Sequence, residues 1–322
     1  MTSGGKSLTE TPEDLKEAID WVFRINELDK INDLAAALEA LLKEDAGLVI
    51  WEVREVFDVI KDNIIEQFDK MNGPFCDHYK SHLRSATEGL KDVKRPDDAK
   101  KEDLTNAIEA LVKGLKTFLG YNGGVSTKFS GNGIISNVSS GYTFTYNNAA
   151  WDPADAPKCA TIFLGILPVI FFGVTLMYWK CSEKNGWQNS ELKNASNGPL
   201  KQFLTQMGFS GVKFNDGKKA SQVVGDLNSG FTELSTSNAK SNDYPNFLGK
   251  LQETALKSST TSPLTSLYLI GYYYITYPLY DFQSTSPGTP SFLGYSGTAA
   301  LAGGAYGFNL GGLGTFMSAL LA

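Results

Sequence analysis

The stretch Cys159–Trp179, CATIFLGILPVIFFGVTLMYW, constrains this chain more than any other. It runs for 21 residues without a charge between Lys158 and Lys180. A run of about 20 apolar residues is long enough to cross a bilayer as a helix. Tyr178 and Trp179 stand at one end, where interfacial aromatics sit. Pro168 interrupts the run, with Gly165 and Gly173 on either side. A helix buried in a large domain is also apolar all round. The residues alone therefore leave two readings open, a bilayer span or a core helix, and Cys159, Pro168 and Trp179 mark the segment.

Charge divides the chain into two environments. All four arginines, Arg24, Arg54, Arg84 and Arg95, precede residue 100, whereas after Lys257 the only charged side chain is Asp281. The formal net charge of −6 argues against a broad electrostatic grip on nucleic acid. Three cysteines, Cys76, Cys159 and Cys181, make no disulfide framework. On one straight helix Cys159 and Cys181 lie about 33 Å apart at 1.5 Å per residue. A bond between them requires the run to fold back at Pro168. The opening MTSGGKSLTETPEDLKEAIDW has no apolar h-region of a conventional signal peptide.

The pattern predicts a mainly α protein, with an N-terminal helical bundle and a C-terminal half of apolar helices joined by Gly/Asn/Ser-rich loops. Residues 1–10 read as a flexible lead. Thr11-Pro12-Glu13-Asp14 is a helix start, with Thr11 as cap and Pro12 in the first helical position. Apolar stripes at helical spacing follow: Leu15, Ile19, Val22 and Phe23, then Ile31 to Leu42, then Val49 to Phe68. A short helix from Cys76 to Leu90, a charged linker over Lys91–Lys101 and a helix from Leu104 to Phe118 complete a bundle over 11–119. From Gly120 the composition turns to Gly, Asn and Ser, and 120–157 reads as a long surface loop. Ile134-Ile135 and Tyr142–Tyr146 are candidate short strands within it. An apolar-helix domain follows over 158–283. It includes short helices at Leu200–Met207 and Ser221–Leu227 and a tyrosine-rich segment with Tyr268, Tyr272, Tyr273, Tyr274, Tyr277 and Tyr280. The stretch 284–322 is a Gly-rich hydrophobic tail. In it Ala299, Gly303, Gly307 and Gly311 recur every four residues, a small-residue stripe of the kind that packs helices in membranes.

No catalytic constellation is legible. His78 and His82 are the only histidines, and Tyr79 stands where a zinc-protease helix needs glutamate, so the pair reads as solvated rather than metal-binding. The glycines near Asn122 and Gly131 complete no phosphate or dinucleotide fingerprint. The expectation is a non-enzyme with no catalytic, cofactor or metal residues.

Several segments resemble the variant erythrocyte surface antigen family of Babesia parasites. They are Thr11–Val22 with its LKEAIDW, the IFLGILPVIFFGVTLMYWKC block ending at Cys181, Gly186-Trp187, Leu200–Leu204 leading to Met207-Gly208-Phe209, and Ser266–Leu269. The resemblance implies a short or truncated member, without a conventional signal peptide, displayed on the infected-erythrocyte surface. It implies antigenic variation and adhesion to host cells, with a host receptor and other family members as partners and a membrane association. The family's longer members carry a cysteine- and lysine-rich region and end in a membrane span with a short tail, whereas this chain has three cysteines and runs to Ala322 in an uncharged glycine-rich stretch. The apolar block lies in the family's external part, which turns the reading of Cys159–Trp179 toward a buried core element. The tail then becomes the better anchor. The alternative is a polytopic membrane scaffold inside the parasite or its vesicles.

Overall fold

A computed structural model describes residues 5–43, 46–69, 100–123, 129–137, 141–182, 187–193 and 198–231. Cys76, His78, His82, the Cys76–Leu90 helix, the tyrosine-rich segment, the tail and its stripe at Ala299, Gly303, Gly307 and Gly311 lie outside the described residues. The rest is mainly α: α1 Leu15–Glu27, α2 Ile31–Lys43, α3 Ala46–Asp69, α4 Lys101–Leu119, α5 Ala156–Ser182, α6 Pro199–Leu204 and α7 Ala220–Gly230. A short 3-10 turn, Pro153–Asp155, leads into α5, and a wide helical turn, Thr205–Phe209, follows α6.

Local chemistry accounts for the ends of these helices. The cap of α1 is Asp14, not Thr11: its carboxylate accepts from the Glu17 N–H at 2.8 Å, and Thr11 and Pro12 precede the helix. Gly120 closes α4 in the left-handed region at φ 76°, its N–H returning to the Lys116 carbonyl. The last carbonyls of α4 are then taken by the following loop, because Ile134 N–H donates to Phe118 O and Ile135 N–H to Leu119 O. That approach requires glycine at 133, since a Cβ there would collide with the main chain of Leu119 and Gly120.

The apolar run is one continuous helix, α5, with Pro168 inside it and Cys159 and Cys181 near its two ends as free thiols. By length and composition α5 is the one helix among the described residues suited to cross a membrane. Within the fold, however, 100% of its apolar window is covered by protein. It packs against α1, α2, α3 and α7. Cys159 and Pro168 are buried, and Ile162, Ile166 and Ile170 have no exposed surface. Trp179 falls in the last turn of the same helix. The flanking glycines bring neighbours close. Gly165 faces Val56 of α3 and Gly173 faces Leu15 of α1, where a Cβ would stand 2.5 Å and 2.7 Å from side-chain carbons.

Residues on both sides of the expected boundary at 157–158 share one hydrophobic core. The expected flexible lead is built into that core over residues 5–10. Leu8 is 2% exposed, and its carbonyl accepts from the Trp21 indole N–H at 2.9 Å. Burying one such side chain contributes about 1.5–3 kcal/mol, enough to fix a short segment with two or three anchors. The 120–157 region is likewise no simple surface loop. Tyr121, Phe129, Ile134, Ile135, Tyr142 and Tyr146 are all buried. Its pairing amounts to isolated bridges, Tyr121 with Phe129 and Ile135 with Phe214, and no strand forms at 142–146.

Candidate functional site

The most elaborate polar arrangement among the described residues lies where residues 141–149, here the strap, cross α1. The buried face of α1 carries Lys16 and Asp20 on the line that continues to Phe23. Asp20 is fully buried and receives three donors. Lys16 Nζ lies 2.8 Å from Oδ2, the Tyr142 hydroxyl 2.6 Å from Oδ1, and the Thr145 N–H 3.0 Å from Oδ2. Lys16 also donates to the Thr143 carbonyl at 2.7 Å and sits 4.7 Å from the centre of the Tyr142 ring. One turn further, Arg24 holds the Ala149 carbonyl with two N–H groups, at 2.8 Å and 2.6 Å, and pairs with Glu27 at 3.4 Å. Glu27 accepts from the Tyr121 hydroxyl.

Aromatic rings close the seam around this ladder. Phe23 stacks on Tyr121 at 4.9 Å, and Tyr121 meets Phe129 and Phe144. Tyr142 meets Phe129, Phe144 and Phe209. Offset and tilted pairs of this kind add about 0.5–1.5 kcal/mol each beyond area burial. From the other side the lead joins in. Lys6 N–H donates to Thr145 O at 3.1 Å, and the Tyr146 hydroxyl donates to Glu10 O at 3.1 Å.

Burial governs the electrostatics. Desolvation raises the Asp20 carboxyl above the usual carboxylate range, against the lowering effect of Lys16 and the hydrogen bonds from Tyr142 and Thr145. Burial, then the nearby Asp20 carboxylate, holds the Tyr142 phenol well above its ordinary value. Tyr142 therefore keeps its proton at neutral pH and serves as a donor. The cleft beside them, lined by Asp20, Arg24, Glu27, Phe144, Tyr146 and Asn147, has room on the scale of one water molecule. Among the described residues no group of three His, Cys, Asp or Glu side chains is placed to hold a metal.

The main chain carries most of the fastening. The strap is held at Thr143 O, Thr145 N and O, and Ala149 O. Only Tyr142, Tyr146 and Ala149 are buried within it, while Gly141, Thr143, Asn147 and Asn148 are exposed. The residues marked in the sequence are gathered into no site. Cys159, Pro168 and Trp179 are spread along α5, and the tail stripe lies outside the described residues. Lys16, Asp20 and Tyr142 escaped the sequence reading. The available signal was a lysine and an aspartate four apart on the same helical line as Phe23. Compared with known proteins, the chain matches no family model, no curated protein and no solved structure.

Proposed function

We propose that this chain is a non-enzymatic surface antigen of the variant erythrocyte surface antigen type, serving antigenic variation and adhesion of infected erythrocytes to host cells. The resemblance of the LKEAIDW and apolar-block segments supports the reading, and one structural observation favours it most. Apart from the buried Tyr142 and Tyr146, the strap is fixed through carbonyls and an N–H, which ask nothing of the side chains attached to them. Its exposed positions, Thr143, Asn147 and Asn148, are thereby freed from the fold. A surface that must change its outward chemistry without losing its core needs that separation. In this reading the partners are a host-cell receptor and other members of the antigen family, and the glycine-striped tail is the membrane anchor.

The test is an antibody against residues 143–150 of the folded protein, applied to intact and permeabilised infected erythrocytes. The expected result is staining of intact cells that is lost after surface treatment with proteinase K. Staining only after permeabilisation overturns surface display. If the protein then also resists alkaline carbonate extraction, the internal membrane scaffold becomes the better reading.

A further inference from the structure

Among the described residues, Asp14 is the carboxylate at the α1 seam that forms no ion pair. On the same face of α1, Glu17 pairs with Lys6 at 2.7 Å and Asp20 with Lys16 at 2.8 Å. Among the described residues the Asp14 carboxylate accepts the Glu17 N–H alone, at 2.8 Å. The Thr205–Phe209 turn lies against it and leaves it half-buried. Gly208, at φ 96°, lies so close that a Cβ there would strike the Asp14 carboxyl group. The turn packs on α1 and α3 and brings no ionisable side chain of its own. The buried residues of α3, Val53, Val56, Phe57, Ile60 and Ile64, are apolar. The charged groups that act on Asp14 are Glu17, Lys16 and Asp20 on its own helix, and its charge in turn raises the Tyr142 and Tyr146 phenols of the strap.

We propose that the Asp14 carboxyl is a proton-operated latch between the start of α1 and the Thr205–Phe209 turn, tightened when it takes up a proton and weakened when it ionises. Ionisation places a negative charge beneath the turn, next to two other carboxylates, with its nearest cation already engaged by Asp20. Burial is the largest cause and raises Asp14 to about 6 from its ordinary 3.8, the hydrogen bond from Glu17 N–H opposing it. A folded-state value above the unfolded one means that the folded protein binds the proton more tightly. The stabilisation is present in acid and is lost as the pH rises through about 6. This behaviour is the reverse of ordinary acid denaturation, and it requires nothing of what the strap binds.

The experiment is hydrogen exchange of the full chain at pH 5.0 and 7.5, corrected for the intrinsic pH dependence of exchange. In the wild type, amides of residues 15–19 and 205–212 should gain about tenfold protection at the lower pH, the factor that linkage gives for a shift from 3.8 to about 6. Asp14→Asn keeps a good capping residue and removes the charge. It should show the acid-level protection at both pH values, while Asp20→Asn, if folded, keeps the step. A step that persists in Asp14→Asn, or a wild-type seam less protected in acid, overturns the latch. If Asp14→Asn does not fold, carbon-13 NMR of the wild-type Asp14 carboxyl decides instead. A titration midpoint near 6 supports the proposal, and one near 4 overturns it.

Discussion

The Tyr142 hydroxyl donates to the buried Asp20 carboxylate at 2.6 Å across 122 residues of sequence. With it, a Gly/Asn/Ser-rich segment becomes part of the core. Lys16 and the Thr145 N–H complete the coordination, so each donor's worth depends on the others remaining.

Tyr142→Phe should cost about 1.5–3 kcal/mol, the range for a hydrogen bond to a charged group. Asp20→Ala should cost more, about 3–5 kcal/mol, because it leaves Lys16 buried without its counter-charge. The double substitution should fall short of the sum, since both remove the same contact. Urea denaturation of the four proteins measures this, and strict additivity would mean that the two groups are not coupled.

Substitution along the strap should separate side chain from main chain. Asn147→Lys and Asn148→Glu replace exposed residues and should stay within about 0.5 kcal/mol of the parent. Thr145→Pro removes the N–H that Asp20 accepts and should cost about 1–3 kcal/mol. Equal effects in thermal melts would remove the physical basis for a freely variable outer surface.

Gly165→Ala sets helix propensity against packing. Alanine is favoured over glycine in a helix by about 1 kcal/mol. Its methyl would stand 2.5 Å from Val56 Cγ1 and 3.1 Å from the Val53 carbonyl, and the carbonyl cannot rotate away. Overpacking of this kind costs about 1–3 kcal/mol. The expected net result is a loss near 1 kcal/mol in urea denaturation without detergent or lipid, given these opposing effects. A raised denaturation midpoint would show that α3 does not close on α5 at this point.

The two thiols of α5 should be silent in the folded protein. Burial, then the nearby Asp155, pushes Cys159 up to about 11, and burial alone pushes Cys181 higher still. Thiolate is the reactive form, so little is present at pH 8. Iodoacetamide followed by peptide mapping should find Cys159 and Cys181 unmodified in buffer and both modified in urea. Rapid labelling of either in buffer would mean that α5 opens far more readily than a core helix does.

The sequence by itself determined the helices, because periodicity and end signals act over one or two turns. Leu15 to Phe23, Ile31 to Leu42 and Leu104 to Phe118 were all readable in this way. Even so, Thr11 and Asp14 are both good caps on paper. The fold chose Asp14, whose carboxylate reaches the Glu17 N–H. The surroundings of α5 were beyond local reading, since 21 uncharged residues satisfy lipid and a protein core equally well. Only the tertiary structure decided that α1, α2, α3 and α7 would cover them. It also decided the fates of the lead and the strap, whose polar composition says loop while Leu8, Tyr142 and Tyr146 lie buried. The upward shifts of the Asp14 and Asp20 carboxyls arise at the same level. Desolvation sums over every element packed on a group, and no stretch of sequence carries that sum.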